Sequence, residues 1–533
     1  MKNLLLFLAF LNCYTAFSQE DAWIYFKDKP NAQFYYDNPL QMLSQRALNR
    51  RNTQNIPLDN LDIPLYQPYK NQVDAATGIS VLAQSKWLNA IHVRGTQANI
   101  NSLSGLSFIK SIYFANKALN TSGKTKLNPN NKSLDTQVNF NYGNSANQIE
   151  MLKGHLLHQQ NYTGSGKIIA VLDAGFPNVN TIFPFQRIRD NNQILGGYNF
   201  VNRNSNFYAG NGHGTLVLST MAGFVDNQLV GTAPDASYYL FITEDADFEN
   251  PVEESFWVEA AESADSLGVD VINSSLGYFK YDNPAYDYNY SDMNGTTTFI
   301  SRGADIAFSR GIIVVASAGN SGASINPNIV APADAINVLT VGAVDASEIY
   351  ASFSSKGPTF DNRVKPDVMA QGKNAVLSNI NGEVVAANGT SFSSPIMAGV
   401  IACLWQAFPT YTNTQIIQMI KKSSDRFTTP TPQYGYGIPD FELALNNGLS
   451  TSEFNKNTFI LHPNPVKERV TIFNPENLKI NSILFYNNIG QLVLEKNSVN
   501  ESESISLETL PGGIYFYKIN LEVGSKTGKL IKH

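Results

Sequence analysis

Ser391 stands in Asn388-Gly389-Thr390-Ser391-Phe392-Ser393-Ser394-Pro395, ahead of the apolar run Ile396 to Phe408. Small residues leading into a serine, with a proline four positions on, predict a helix that begins at the serine and is buried almost all round. Proline is tolerated in a helix's first turn, where its missing N–H has no partner to lose. The unpaired N–H groups and partial positive charge at such an N-terminus favour an anion forming beside it. A serine hydroxyl is a weak nucleophile, so chemistry at Ser391 requires a base within hydrogen-bond reach and a third group to orient that base.

The chain offers six histidines as that base. His533 is terminal, His462 lies in a β-rich tail and His92 in a small first domain. His155 and His158 read as surface positions of a polar helix, with no third metal ligand nearby. His213 is flanked by glycines in Asn211-Gly212-His213-Gly214-Thr215 and heads a helical stretch, free to reach across a cleft. Asp173 closes the apolar run Ile168 to Leu172. An ionised aspartate there is costly unless paired, and His213 is its natural partner. Asn320 ends Val314 to Gly319, and its side-chain N–H with the backbone N–H of Ser391 can share a developing oxyanion. Together these are a nucleophile, a base, an orienting acid and an oxyanion donor for acyl transfer.

The elements that must hold them read as α/β. Ile168 to Leu172, Ile312 to Ala316 and, apart from Asp270, Val269 to Ile272 are apolar runs, suited to a parallel sheet buried on both faces. Val252, Phe256, Ala260, Ala264 and Leu267 recur at helical spacing, which leaves Glu253, Glu254, Glu259 and Glu262 for a solvated face. The Tyr-, Asp- and Asn-rich stretch from Tyr278 to Tyr290 reads as a surface loop near the substrate. Before this body, Ala22 to about Lys117 alternates strands and helical stretches as a compact α+β unit, and a polar linker follows it. After it, Val470 to Phe473, Ile483 to Tyr486, Gln491 to Leu494 and Ile514 to Tyr517 are short strands of a small all-β sandwich. Thr163-Gly164-Ser165-Gly166-Lys167 lacks the residues of a phosphate loop and precedes a strand, so it is a turn.

A net charge of −6 with no Lys/Arg block excludes a nucleic-acid partner. Met1-Lys2-Asn3, the apolar Leu4 to Leu11 and the small residues before Gln19 predict a cleaved export signal, too short to span a bilayer as a helix. Its removal after Ser18 leaves Cys403 as the sole cysteine, a small core residue outside any disulfide within the monomer.

The ordered set Asp173, His213, Asn320 and Ser391 resembles the subtilisin-like serine proteases (subtilases), whose triad runs Asp…His…Ser. Asn-Gly-His-Gly-Thr around His213, Gly-Thr-Ser391 with Pro395, Ser-Ala-Gly-Asn320 and Tyr434-Gly435-Tyr436-Gly437 carry the resemblance. It implies Asp173, His213 and Ser391 as catalytic residues and Asn320 as oxyanion donor. It also implies a substrate-binding strand at Ser275, Leu276 and Gly277, with Ala318 and Gly319 beside the substrate. Ala174 stands where many members carry a hydroxyl residue, which loosens the hydrogen bonding around Asp173, and Phe392-Ser393-Ser394 replaces the commoner Met-Ala-Ala. No cofactor is required for the chemistry; structural calcium is common in the family, but no motif here marks a site. The region before Lys117 resembles a subtilase propeptide. His462-Pro463-Asn464-Pro465-Val466, Asn488-Ile489-Gly490, Leu510 to Tyr515 and Lys529-Leu530-Ile531 resemble the C-terminal sorting domain of type IX secretion in Bacteroidota.

The implied layout is a signal peptide (1–18), a propeptide-like α+β domain (19–120), a linker (121–140), a subtilase catalytic domain (141–449) and a C-terminal β-sandwich sorting domain (456–533). The implied function is a serine endopeptidase that is secreted or held at the cell surface by way of a Sec signal peptide and the periplasm. Its partners are protein or peptide substrates and the type IX machinery, with no nucleic acid and no transmembrane span. A protein that only holds peptides would lack a triad residue, and none is missing.

Overall fold

The computed structural model describes residues 19–120, 140–449, 460–473, 480–487, 490–499, 504–521 and 525–533. The expected signal peptide (1–18) and linker (121–140, apart from Phe140) lie outside these residues. The described residues up to Gly448 form one compact unit and those from Leu449 a second.

The centre of the first unit is a seven-stranded, all-parallel sheet. Its order is Val368–Gln371, Leu339–Val344, Ile313–Ser317, Val271–Ser274, Ile168–Asp173, Ser237–Ile242, Ile194–Asn199. Strand residues point alternately to opposite faces. Ile168, Ala170 and Leu172 accordingly join Trp257, Ala260 and Ala264 of the Val252–Leu267 helix in one core, together with Ile300 and Ala304 of the Phe299–Ser309 helix. The Thr390–Ala407 helix packs on the sheet strands and on the His213–Ala222 helix, and sixteen of its eighteen residues are buried. That burial matches the apolar composition of its sequence.

Residues 19–120 form an antiparallel sheet in the order Ile79–Ser85, Ala90–Thr96, Gln19–Phe26, Ile109–Phe114. Ala22, Ile24 and Phe26 face this domain's own core with Ile91 and Val93. Trp23 and Tyr25, on the alternate face, meet the α/β body. Trp23 stacks on Phe299 at 5.0 Å and its indole N–H donates to Ser255 Oγ at 2.8 Å, while Arg302 Nη2 donates to Tyr25 Oη at 2.7 Å.

Two expectations are overturned here. Glu253, Glu254 and Glu262 are buried, not solvated. Glu262 accepts from Ser85 Oγ (2.6 Å) and from the N–H groups of Lys86 and Trp87 (both 3.0 Å), so the N-terminal domain itself covers this face of the helix. Burial raises the Glu262 carboxyl to about 7. Glu254 accepts from the hydroxyls of Tyr281 (2.7 Å) and Tyr288 (2.6 Å) and from Ile300 N–H (3.0 Å). The tyrosine-rich stretch is therefore a packed layer, with Tyr278, Tyr281, Tyr286 and Tyr288 all buried. Helical periodicity marks which face leaves the sheet, but says nothing of a second domain that covers it.

Arg50 and Arg51 end the first domain's Gln45–Thr53 helix, and both are buried against the body. Arg50 pairs with Asp265, and Arg51 Nη2 pairs with Asp62 at 2.7 Å and Asp265 at 2.8 Å, with side chains no more than 5% exposed.

In the second unit, a three-stranded antiparallel sheet (Ile460–His462, Arg469–Phe473, Ser504–Ser506) and a four-stranded one (Leu492–Val499, Ile480–Tyr486, Gly513–Leu521, Ser525–Lys532) share one core. Val470 and Ile505 from the first meet Ile483, Phe485 and Ile519 from the second.

Removing one partner of a buried ion pair strands the other charge. Arg51→Ala is expected to destabilise the first unit by about 3 kcal/mol, read as a lower urea midpoint of the full-length chain. An unchanged midpoint contradicts the role of the pair.

Candidate active site

Asp173 is the last residue of the Ile168–Asp173 strand and is wholly buried. Its Oδ1 accepts from Ala174 N–H at 2.8 Å and from His213 Nδ1–H at 2.7 Å. Among the described residues its Oδ2, also buried, has no hydrogen-bond partner, and Ala174 beside it has no hydroxyl to offer one. His213 opens the His213–Ala222 helix, and its backbone N–H donates to Asn211 Oδ1 at 2.9 Å. Gly214 permits the contact: a Cβ there would lie 2.5 Å from Gly175 O and 3.0 Å from Asp173 Cβ. The Asp173 charge raises the His213 imidazolium above its usual 6.5, against the opposing effect of burial, and Glu244 adds to the rise.

Ser391 is the second residue of the Thr390–Ala407 helix, and Phe392 beside it lies 6.1 Å from the His213 ring, centroid to centroid. The Ser391 hydroxyl donates to Ser275 O at 3.4 Å. Among the described residues no hydrogen bond joins it to His213, the expected second link of the relay. Apo sites often hold such contacts loosely and tighten them around substrate.

Pro395 differs from expectation, sitting inside the helix and not in its first turn. It has no N–H for the carbonyl four residues back, which is that of Ser391. Ser275 Oγ–H supplies the missing donor at 2.9 Å. The proline thus frees a carbonyl that ties the serine's helix to the neighbouring strand. Asn273, buried inside the Val271–Ser274 strand, extends the tie: its Nδ2 donates to Ser275 Oγ at 3.1 Å and its Oδ1 accepts from Ser394 Oγ at 2.9 Å. The sequence does not single out Asn273: it is the first polar residue after the run Val269 to Ile272, and Ser394 in place of the commoner alanine is its counterpart.

Asn320 Oδ1 accepts from both the backbone N–H and the hydroxyl of Thr390, each at 2.9 Å. Its Nδ2 is the end left for a ligand. Gly319 has φ +103°, the left-handed region that favours glycine, and its N–H donates to Thr390 Oγ1 at 3.2 Å. Ser275, Leu276, Gly277, Gly319, Asn320 and Ser391 line one cleft of about 540 Å³. Ala318, expected with them, is buried in the core beneath it. Glu249, Phe279, Lys280 and Val330 also line it; Phe279 and Lys280 fall in the stretch expected near the substrate, whereas nothing in the sequence around Glu249 and Val330 marks them.

The remaining candidates lie elsewhere. His158 is buried and not on the surface: its Nδ1 accepts from the Tyr142 hydroxyl at 2.8 Å and its Nε2–H donates to Thr232 O at 3.0 Å. Burial holds it at about 4, hence neutral. Cys403 is a buried core residue. Among the described residues no three His, Cys, Asp or Glu side chains gather as metal ligands, and no helix is long and apolar enough to cross a membrane.

With this geometry in place, comparison with known proteins is direct. The subtilase family model matches residues 164–438, a peptidase S8 propeptide domain of Bacteroidota matches 21–133, and a secretion system C-terminal sorting domain matches 460–533. Subtilisin DY of Bacillus licheniformis is 31% identical over 299 residues, 56% of this chain and 97% of that protein. Subtilisin E of Bacillus subtilis (strain 168) is 33% identical over 299 residues, 56% of this chain and 70% of that protein. The chain belongs to the subtilase family. It is a subtilisin-like serine peptidase built with a propeptide and a type IX sorting tail, features of a protein bound for the cell surface or beyond.

Asn273→Ala removes the acceptor of the buried Ser394 hydroxyl and a donor to Ser275. An unsatisfied buried group costs about 1–3 kcal/mol, so denaturant unfolding should show a loss of that size. A loss well under 0.5 kcal/mol, the ordinary surface range, would contradict the tie.

Proposed function

We propose that this chain is an exported serine endopeptidase that hydrolyses peptide bonds with Asp173, His213 and Ser391. The observation that carries the reading is the 2.7 Å Asp173–His213 hydrogen bond, set beside the residue that follows Ser391. Ser391 Oγ attacks the peptide carbonyl while His213 Nε2 takes its proton. Asp173 holds the ring and balances the imidazolium. Asn320 Nδ2 and the Ser391 N–H donate to the tetrahedral oxyanion. Its collapse passes the His213 proton to the leaving amine, and water activated by the same ring then releases the acyl group from Ser391. The strand Ser275–Gly277 pairs with the substrate backbone, an extended peptide adding to an open strand edge.

The domain division at 19–120, 141–449 and 456–533 serves this function. The first domain precedes the peptidase as its propeptide, residues 1–18 direct export through the periplasm, and the tail addresses the type IX machinery. The propeptide and sorting-domain matches support this route.

Ser391→Ala is expected to abolish hydrolysis of a denatured protein mixture, with the fold intact by circular dichroism. A fluorophosphonate should label the native chain at Ser391 alone. Near-normal turnover by the variant would overturn the assignment.

Only neutral His213 accepts a proton, and Asp173 holds its folded value above 6.5. Activity should therefore rise with pH through a midpoint above 6.5. The sign for stability is the reverse: a raised histidine stabilises the fold while protonated, and that increment is lost as pH rises through the folded value. A rate profile flat from mildly acidic to mildly alkaline pH would contradict the role of His213.

A further inference from the structure

Next to Asp173 lies a carboxyl that the relay does not use. Thr243 N–H donates to Asp173 O at 3.1 Å, which makes Glu244 the next residue outward. Glu244 Oε1 accepts from the Tyr278 hydroxyl and from Thr243 Oγ1 (2.8 Å). Tyr278 directly follows Gly277 in the chain, is 1% exposed, and donates its N–H to Ala331 O at 2.8 Å. A second link runs between the same two segments, from Asp282 N–H to Glu249 O at 3.1 Å. The 244–250 loop is itself held by Glu253, which accepts from Asp245 N–H at 2.8 Å and Asn250 N–H at 2.9 Å.

The three residues read as pairing with substrate are thus pinned at both ends. Ser275 is held by Asn273 and by the Ser391 carbonyl. Tyr278 is held by Glu244 and Ala331. We propose that Glu244 is a positioning residue for peptide substrates: through the Tyr278 hydroxyl it fixes the register of Ser275–Gly277 against the strand end that carries Asp173. The inference rests on the reading of Ser275–Gly277 as the substrate strand. A buried hydroxyl needs only some acceptor, and a backbone carbonyl would serve. A desolvated carboxyl is a costly choice, since burial pushes it up to about 8, with Glu249 and Asp173 adding to the rise. What the carboxyl provides is reach, from a loop anchored on the Val252–Leu267 helix to the far end of the strand.

The test uses the full-length protein allowed to mature. The substrates are an internally quenched extended peptide and p-nitrophenyl acetate, which is too short to pair with the strand. Tyr278→Phe and Glu244→Ala should each raise KM for the peptide about five- to tenfold, the worth of one hydrogen bond, with kcat and acetate hydrolysis changed less than about twofold. Glu244→Gln, whose amide oxygen still accepts, should keep the wild-type KM. The double variant Tyr278→Phe/Glu244→Ala should be no worse than either single one, because both remove the same bond. Tyr278→Phe loses one oxygen and keeps the ring, so it reports on the bond even where Glu244→Ala fails to fold. Unchanged KM in Tyr278→Phe, additive effects in the double variant, or an equal fall in acetate hydrolysis would overturn the proposal while leaving the peptidase reading intact. A wild-type protein that hydrolyses neither substrate would overturn that reading, and this inference with it.

Discussion

A carboxylate buried at the end of a strand constrains everything around it. Asp173 has no solvent to stabilise its charge, so a partner must be brought to it. That partner is His213, and the contact requires a helix to start within hydrogen-bond reach of a strand end. Two chains can approach so closely only without a side chain between them, which accounts for Gly214. Among the described residues Oδ2 has no hydrogen-bond partner, so the side-chain contact seen at the acid is that of Oδ1 with His213.

The serine is fixed by a different device. A helix N-terminus presents N–H groups, but does not by itself set its distance from the next strand. Pro395 breaks one bond inside the helix, and the carbonyl it releases takes the Ser275 hydroxyl. Asn273 and Ser394 close the network underneath. The helix that carries Ser391 and the strand segment at Ser275 are therefore tied to each other directly. Asn320 joins them from the third side, its carbonyl oxygen spent on Thr390 and its amide left for the cleft.

What could be read in the sequence follows from locality. The strand ends at Asp173 and Asn320 and the helix starts at His213 and Ser391 each carry their signal within a few residues, as apolar runs broken by a polar one. Three of the seven sheet strands, those at Ile168–Asp173, Val271–Ser274 and Ile313–Ser317, follow from the same kind of run. Asn273 follows such a run, but its role is not legible there, because its partners Ser275 and Ser394 are brought together only by the fold. The burial of glutamates on the Val252–Leu267 helix is hidden for a related reason: amphipathic spacing identifies the face that leaves the sheet, but not the N-terminal domain that covers Glu262 or the loops that cover Glu253 and Glu254. His158 was misread likewise, since neither Tyr142 nor Thr232 announces itself as its partner. The cleft lining is drawn from separate loops: the Tyr-rich composition marks the one with Phe279 and Lys280, but no local pattern marks Glu249 or Val330.

The Val252–Leu267 helix shows how the N-terminal domain and the cleft come to share a framework. Its inner face packs on the sheet through Trp257, Ala260 and Ala264. Its outer face receives Trp23 at Ser255 and the Ser85–Trp87 turn at Glu262. Its last turn holds Arg50 and Arg51 through Asp265, while Glu253 in its first turn holds the loop that borders the cleft. One rigid element thus carries the docking contacts along its length and the cleft loop at its start. Buried charges gain little net stability from pairing, yet they penalise any other register strongly. Glu262 and Asp265, met by the Ser85–Trp87 turn and by Arg50 and Arg51, therefore do more to specify how the N-terminal domain seats on this helix than to add to its affinity, while Glu253 and Glu254, met by donors of the α/β body, hold the loops at the start of the same helix.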